Sequence, residues 1–148
     1  MEIILVGHAH TAKAFKEAVE MIYGEVPNFH PIDFTPKEGL QSLTNKIISA
    51  IDPKKASSTL IITDLFSGTP YNAAAELVLK KKAADVVAGM CLPMLLEVAV
   101  NANSMDVGQL VSHLMKSKEE FSPRFKIEVQ HLIKQTNLHE KVMKTYSC

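Results

Sequence analysis

The sequence predicts an α/β fold: an open doubly wound sheet, mainly parallel, with four core strands in the order 2-1-3-4. Helices are expected on both faces, with a C-terminal helical tail. Three observations carry this. Two continuous apolar runs, Ile3–Val6 and Thr59–Thr63, read as strands buried on both faces. Stretches with apolar residues three and four apart follow them, as amphipathic helices require. The two patterns alternate along the chain, which favours parallel strands joined by right-handed crossovers.

The first run ends at Gly7, and from Thr11 the period changes. Ala14, Phe15, Ala18, Val19 and Ile22 form one helical stripe, with Gly24 as the C-terminal cap. Phe29–Phe34 is a mixed strand interrupted by Pro31, which cannot donate to a ladder, so it belongs at a sheet edge. A second helix is predicted over Gly39–Ile51, with Leu40, Leu43, Ile47, Ile48 and Ile51 inward and Asp52-Pro53 as its stop. After a polar linker, Lys54–Ser58, comes the strand Thr59–Thr63. Ser67-Gly68-Thr69-Pro70 is a loop, with Thr69 as N-cap and Pro70 as first residue of a third helix running to Lys82. Asp85–Gly89 is a fourth strand. Pro93–Val100 and Val107–Met115 are two further helices, and a last one is expected near 123–136.

The length of 148 residues fits a single domain over 1–148. Apolar residues make up 47% and charged residues 22%, values of a globular chain rather than a disordered one. No apolar run reaches the roughly 18–20 residues of a membrane span. The N-terminal segment lacks the basic n-region of a signal peptide, so a cytoplasmic location is expected. Cys91 and Cys148 have no metal or disulfide spacing. Residues 113–148 carry 7 basic and 4 acidic side chains against 9 and 12 in residues 1–112. That mild basic bias comes without a reading element, and the chain has no Trp, so nucleic acid is not an expected partner.

In the order 2-1-3-4, strands 1 and 3 are neighbours, and their C-terminal ends flank the switch point where ligands bind. His8 and Asp64, 56 positions apart, converge there. A carboxylate on one imidazole nitrogen fixes the tautomer and leaves the other free to attack, which suits a histidine that takes and passes on a phosphoryl group. Ser67, Gly68 and Thr69 offer hydroxyls and N–H groups at a helix N-terminus for the phosphoryl oxygens. The sequence has no GxxxxGK[ST] loop, which disfavours nucleotide hydrolysis. Other roles stay open at this level. His8 can be an incidental loop residue or a general base oriented by Asp64 in a small hydrolase or isomerase. Asp64 can simply close a turn, and the site can bind a partner or an anion without turnover. His10 is either a solvated residue at a helix start, a second proton donor or a phosphate contact. Phe66 and Met94 are candidate docking residues. Met90, Leu92, Met94, Leu95 and Leu96 otherwise read as core.

Five collinear segments, VGHAH, EMIYGE, PIDFTP, TDLFSGTPYNAAAEL and AGMCLPMLLE, resemble the enzyme IIA domain of the mannose-type bacterial phosphotransferase system over roughly residues 1–115. The resemblance implies a phosphocarrier without metal, nucleotide or other cofactor. His8 would accept a phosphoryl group from phospho-HPr, and Asp64 would orient and stabilise its ring. The group would pass to a histidine of the IIB component, which serves a membrane IIC/IID permease during sugar uptake. A homodimer is also implied. Three positions depart from the family pattern. Ala9 stands where glycine is usual, so a negative φ is expected there. Ser67 replaces a common glycine, and Cys91 a frequent asparagine.

Overall fold

The structure is a computed structural model that describes residues 1–122 and 130–131. Four parallel strands form one sheet in the order β2-β1-β3-β4: β1 (Glu2–His8), β2 (Phe29–Phe34), β3 (Thr59–Thr63) and β4 (Asp85–Ala88). Between and after them run α1 (Thr11–Tyr23), α2 (Leu40–Ala50), α3 (Thr69–Leu79), α4 (Leu92–Asn101) and α5 (Val107–Ser117). The expected fold class and strand order are both present. Residues 1–116 form one compact unit and residues 117–148 a second, of which Lys118–Phe121 is a turn of 3-10 helix. Apart from Gln130 and His131, the helix expected near 123–136 lies outside the described residues.

The two central strands carry the core because both their faces are covered. Ile3, Ile4, Leu5 and Val6, with Leu60, Ile61 and Ile62 opposite, are fully buried. Successive side chains point to opposite faces. Ile4, Val6 and Ile61 therefore pack with Leu43, Ile47, Ala73, Ala74 and Leu77 from α2 and α3. Pro31 opposes Leu5 from β2, an edge strand as its proline requires.

Several boundaries differ from the sequence reading. Pro53–Ser58, expected as a polar linker, is a 3-10 helix started by the Asp52 side chain, which accepts from Lys54 N. Helix α3 stops at Leu79, where Lys81 turns into a left-handed conformation, rather than at Lys82. The inward stripes are narrower than expected: Ile22, Leu40 and Ile48 are exposed, and Ala12 replaces Ala14 on the buried face of α1. Ile22 and Leu40 sit in terminal turns of their helices. Met94 is buried in α4, packed with the core rather than presented to a partner.

Gly7 fixes how α1 enters the sheet. A Cβ there would collide with the Thr11 hydroxyl and lie 3.2 Å from the backbone nitrogen of Ala12. The helix thus starts hard against the strand that holds His8. Gly7→Ala is expected to cost about 1–3 kcal/mol, the usual range for overpacking. At this chain length each kcal/mol lowers the melting temperature by roughly 2–4 °C. An unchanged melting temperature would mean that Thr11 can turn away without penalty.

Candidate functional site

Parallel pairing of β1 with β3 sets the site. Val6 opposes Thr63, so the next polar residues, His8 and Asp64, meet at the C-terminal end of the sheet. His8 is the last residue of β1 rather than part of the loop beyond it. Its Nδ1 lies 3.0 Å from Asp64 Oδ2 and 3.2 Å from Oδ1. A carboxylate only accepts, so Nδ1 carries the ring proton and Nε2 is left with a free lone pair. The same Oδ2 accepts from the backbone N–H of His8 at 2.8 Å. Asp64 therefore grips both the ring and the main chain of one residue. The Asp64 backbone N–H in turn donates to Val6 O at 3.2 Å. The side chain of His8 is 46% exposed and that of Asp64 17%, so the histidine is reachable while the carboxylate is shielded.

Phe34, at the end of β2, packs against the His8 ring with centroids 5.4 Å apart and planes at 76°. Thr11 Oγ1 donates to His8 O at 2.8 Å and lies 3.5 Å from Asp64 Oδ2. The sequence reading gave neither residue a place in the site, because nothing local marks an aromatic at a strand end or a threonine in a helix's first turn as a site neighbour.

Beyond Asp64, Leu65–Gly68 lead into α3. The N-cap is Gly68, at φ −89° and ψ 173°, with Thr69 as the first helical residue and Pro70 buried after it. This corrects the expected Thr69 cap: proline takes the second helical position, so the cap moves one residue back. No side chain caps this helix end. Asn72 N bonds Gly68 O, while Pro70 has no N–H. The N–H groups of Thr69 and Tyr71 thus remain among the orphans that a helix start presents to an anion. A Cβ on Gly68 would sit 3.5 Å from His8 Cε1, which places this helix end directly at the ring. Of the three residues expected at the phosphoryl group, Gly68 lies against the His8 ring, with Ser67 and Thr69 its neighbours in sequence. Phe66 is 67% exposed and stacks edge-on against Tyr71 at 4.9 Å. Met94, buried, leaves the list of docking residues.

Two non-glycine residues around the ring have left-handed backbone, Ala9 at φ 52° and Ser67 at φ 59°. The negative φ expected for Ala9 is therefore not adopted. Its amide donates to Phe34 O at 2.8 Å.

The family model of the PTS system fructose IIA component matches residues 2–115. The chain belongs to that family. The sorbose-specific EIIA component of Lacticaseibacillus casei is 91% identical over 122 residues, 82% of this chain and 88% of the relative. The fructose-specific EIIA component of Bacillus subtilis (strain 168) is 33% identical over 135 residues, 90% of each chain. Among solved structures, the mannose/sorbose specific IIA subunit from Enterococcus faecalis superimposes with a TM-score of 0.76 at 26% identity, covering 84% of this chain and 93% of that one. The chain is thus an EIIA component of the mannose/sorbose type, with a role in sugar phosphotransfer. No helix among the described residues is long and apolar enough to cross a membrane, and they hold no cluster of three metal-ligating side chains.

The EIIA fold also ties the end of β2 to α2. Lys46 Nζ donates to Asp33 O at 2.7 Å and to Glu38 Oε1 at 2.8 Å, while Glu38 Oε2 accepts from Thr35 N and Oγ1, both at 2.8 Å. The Lys46 bond, then those from the Thr35 amide and hydroxyl, hold the Glu38 carboxyl at about 2, well below its usual 4.5. Its folded value is depressed, so the stabilisation is present above the usual value and is lost as pH falls from 4.5 towards 2. Glu38→Gln is expected to melt below the parent at pH 7, with the gap closing over that interval. A gap independent of pH would show that the carboxylate charge contributes nothing.

Proposed function

We propose that this EIIA component is a phosphohistidine carrier in which His8 accepts a phosphoryl group from phospho-HPr and delivers it to a histidine of the IIB component during sugar uptake. The observation that carries the proposal is the half-exposed ring of His8, held at Nδ1 by Asp64 so that Nε2 is the nitrogen left to attack. Nε2 attacks phosphorus in line with the N–P bond of the donor phosphohistidine. One N–P bond forms as the other breaks, and the donor imidazole leaves with the electron pair. The His8 ring becomes cationic, and the Asp64 carboxylate, 3.0 Å from the Nδ1 proton, opposes that charge. The reverse attack, by a histidine of IIB, unloads the group.

Three phosphoryl oxygens need donors. The N–H groups at the start of α3, with the hydroxyls of Ser67 and Thr69, supply them beside the ring. Gly68 keeps that approach open. Exposed Leu65 and Phe66 form the apolar rim against which HPr and IIB dock. Met94 has no part in it. The carrier uses no metal or nucleotide: the group arrives on a phosphohistidine of HPr and leaves on a histidine of IIB. It works in the cytoplasm and functions with a membrane IIC/IID permease. The 91% identical relative is named sorbose-specific, so we assign sorbose as the sugar of the system, although a IIA component never touches it. We also assign a homodimer, which sedimentation at micromolar concentration should show; a monomer there would refute it.

Incubation with enzyme I, HPr and labelled phosphoenolpyruvate tests the carrier reading. Acid-labile, base-stable label should map to His8 and vanish in His8→Ala, whose exposed side chain contributes little to folding. Asp64→Asn should fold yet accept label about 10²–10⁴-fold more slowly, because an amide can present the wrong group to Nδ1. Label retained in His8→Ala would move the acceptor elsewhere. No label on a folded wild-type chain with competent HPr would turn the site into a binding module.

A further inference from the structure

We propose that His10, with Asp33, is a positioning pair for phosphoryl transfer: it clamps the far side of the left-handed turn at Ala9 and so holds His8 in its reactive pose. The inference rests on the carrier reading above and adds to it a residue outside the reacting group.

His10 Nδ1 lies 2.6 Å from Asp33 Oδ2. The bond joins the residue that precedes α1 to the penultimate residue of β2, 23 positions away. Among the described residues it is the side-chain hydrogen bond that the Asp33 carboxylate has, and the second oxygen, Oδ1, is buried without a partner. A carboxylate so placed holds its one donor firmly, because an unpaired buried oxygen already burdens it. Asp33 is itself anchored from behind, since Lys46 of α2 bonds its carbonyl and Glu38.

The turn needs holding. Ala9 sits at φ 52°, a region an alanine populates about 5- to 30-fold less readily than ordinary backbone. On its N-terminal side the turn is fixed by His8 N on Asp64 and by Ala9 N on Phe34 O. On its C-terminal side the Thr11 hydroxyl on His8 O and the His10–Asp33 pair do the same work. Remove the pair, and the strained residue can relax, taking the His8 carbonyl and ring with it. The His10 ring is otherwise 79% exposed, so its packing contributes little and its hydrogen bond is what matters. Lys13 and Glu17 share the surface around it.

The test is single-turnover acceptance from phospho-HPr across a double-mutant cycle. His10→Ala should lower the limiting rate about fivefold, within the range set by the alanine's conformational preference, with the half-saturating HPr concentration changed less than about twofold. In an Ala9→Gly background the same His10→Ala change should alter the rate less than about twofold, because glycine enters the left-handed region without penalty. His10→Asn, whose amide nitrogen can still donate to Asp33, should recover most of the rate. An equal fall in both backgrounds would overturn the clamp and make His10 a direct contact of donor or phosphoryl group. An unchanged rate in His10→Ala would also overturn it. Failure of the carrier reading looks different: the wild-type chain itself takes no label, or keeps it in His8→Ala.

Discussion

Everything at this site hangs on one carboxylate making two kinds of bond. Asp64 accepts from the ring of His8 and from its backbone amide, and its own amide is held by Val6. The ring bond sets tautomer and charge. The main-chain bonds set where the ring is. Hydrogen bonds to charged groups contribute about 1.5–3 kcal/mol each, more than neutral ones, and shielding of the carboxylate keeps that benefit from water. The arrangement exists only because β1 and β3 are adjacent and parallel. That pairing brings position 64 to position 8 and leaves both at the open end of the sheet.

The ends of the sheet are also where backbone strain collects. Ala9 and Ser67 both occupy left-handed conformations, one on each side of the ring. Each costs of order 1 kcal/mol or more where glycine would cost little. The strain is tolerated because hydrogen bonds over-determine the turn at Ala9, and because a rigid core lies beneath. Ile3–Val6 and Leu60–Ile62 have no exposed surface, so the strands cannot shift to relieve their ends. A carrier gains from this division. The core supplies stiffness, and the rim supplies a histidine fixed in direction yet open to a macromolecular donor.

The sheet was legible in the sequence because burial on both faces leaves a signal that survives in short windows. Two continuous apolar runs and two shorter mixed stretches marked four strands, Pro31 marked an edge, and the order 2-1-3-4 placed His8 beside Asp64. What escaped detection depended on geometry with no local signature. The positive φ at Ala9 goes with a bond from its amide to Phe34, remote in sequence, and the usual preference of alanine points the other way. The cap of α3 moved to Gly68 because proline's place in the first turn decides the register, and Thr69 would serve as a cap in another context. Met94 read first as core and second as a docking residue, since its helix is apolar nearly all round and only the packing of α4 tells the faces apart. The His10–Asp33 pair was invisible for the same reason as Ala9: it joins an edge strand to a helix start, and neither segment carries a motif for it.

The shape of the site argues for transfer between proteins rather than for chemistry on a small substrate. An enzyme acting on a free metabolite surrounds it, and pockets for that purpose enclose most of the ligand. Here the groove next to the site, about 480 Å³ and lined by Asp64 together with Leu65, Phe66, Tyr71, Val87 and Met115, is open. The His8 ring stands half-exposed at the end of a strand. Water is therefore not excluded by the described residues alone. A labile N–P bond in such a place is protected during transfer only if the partner's surface closes over it. An apolar rim of Leu65 and Phe66 beside a polar centre suits that closure: burying it excludes solvent from the reacting atoms, and the polar groups at the start of α3 are already in place for the phosphoryl oxygens.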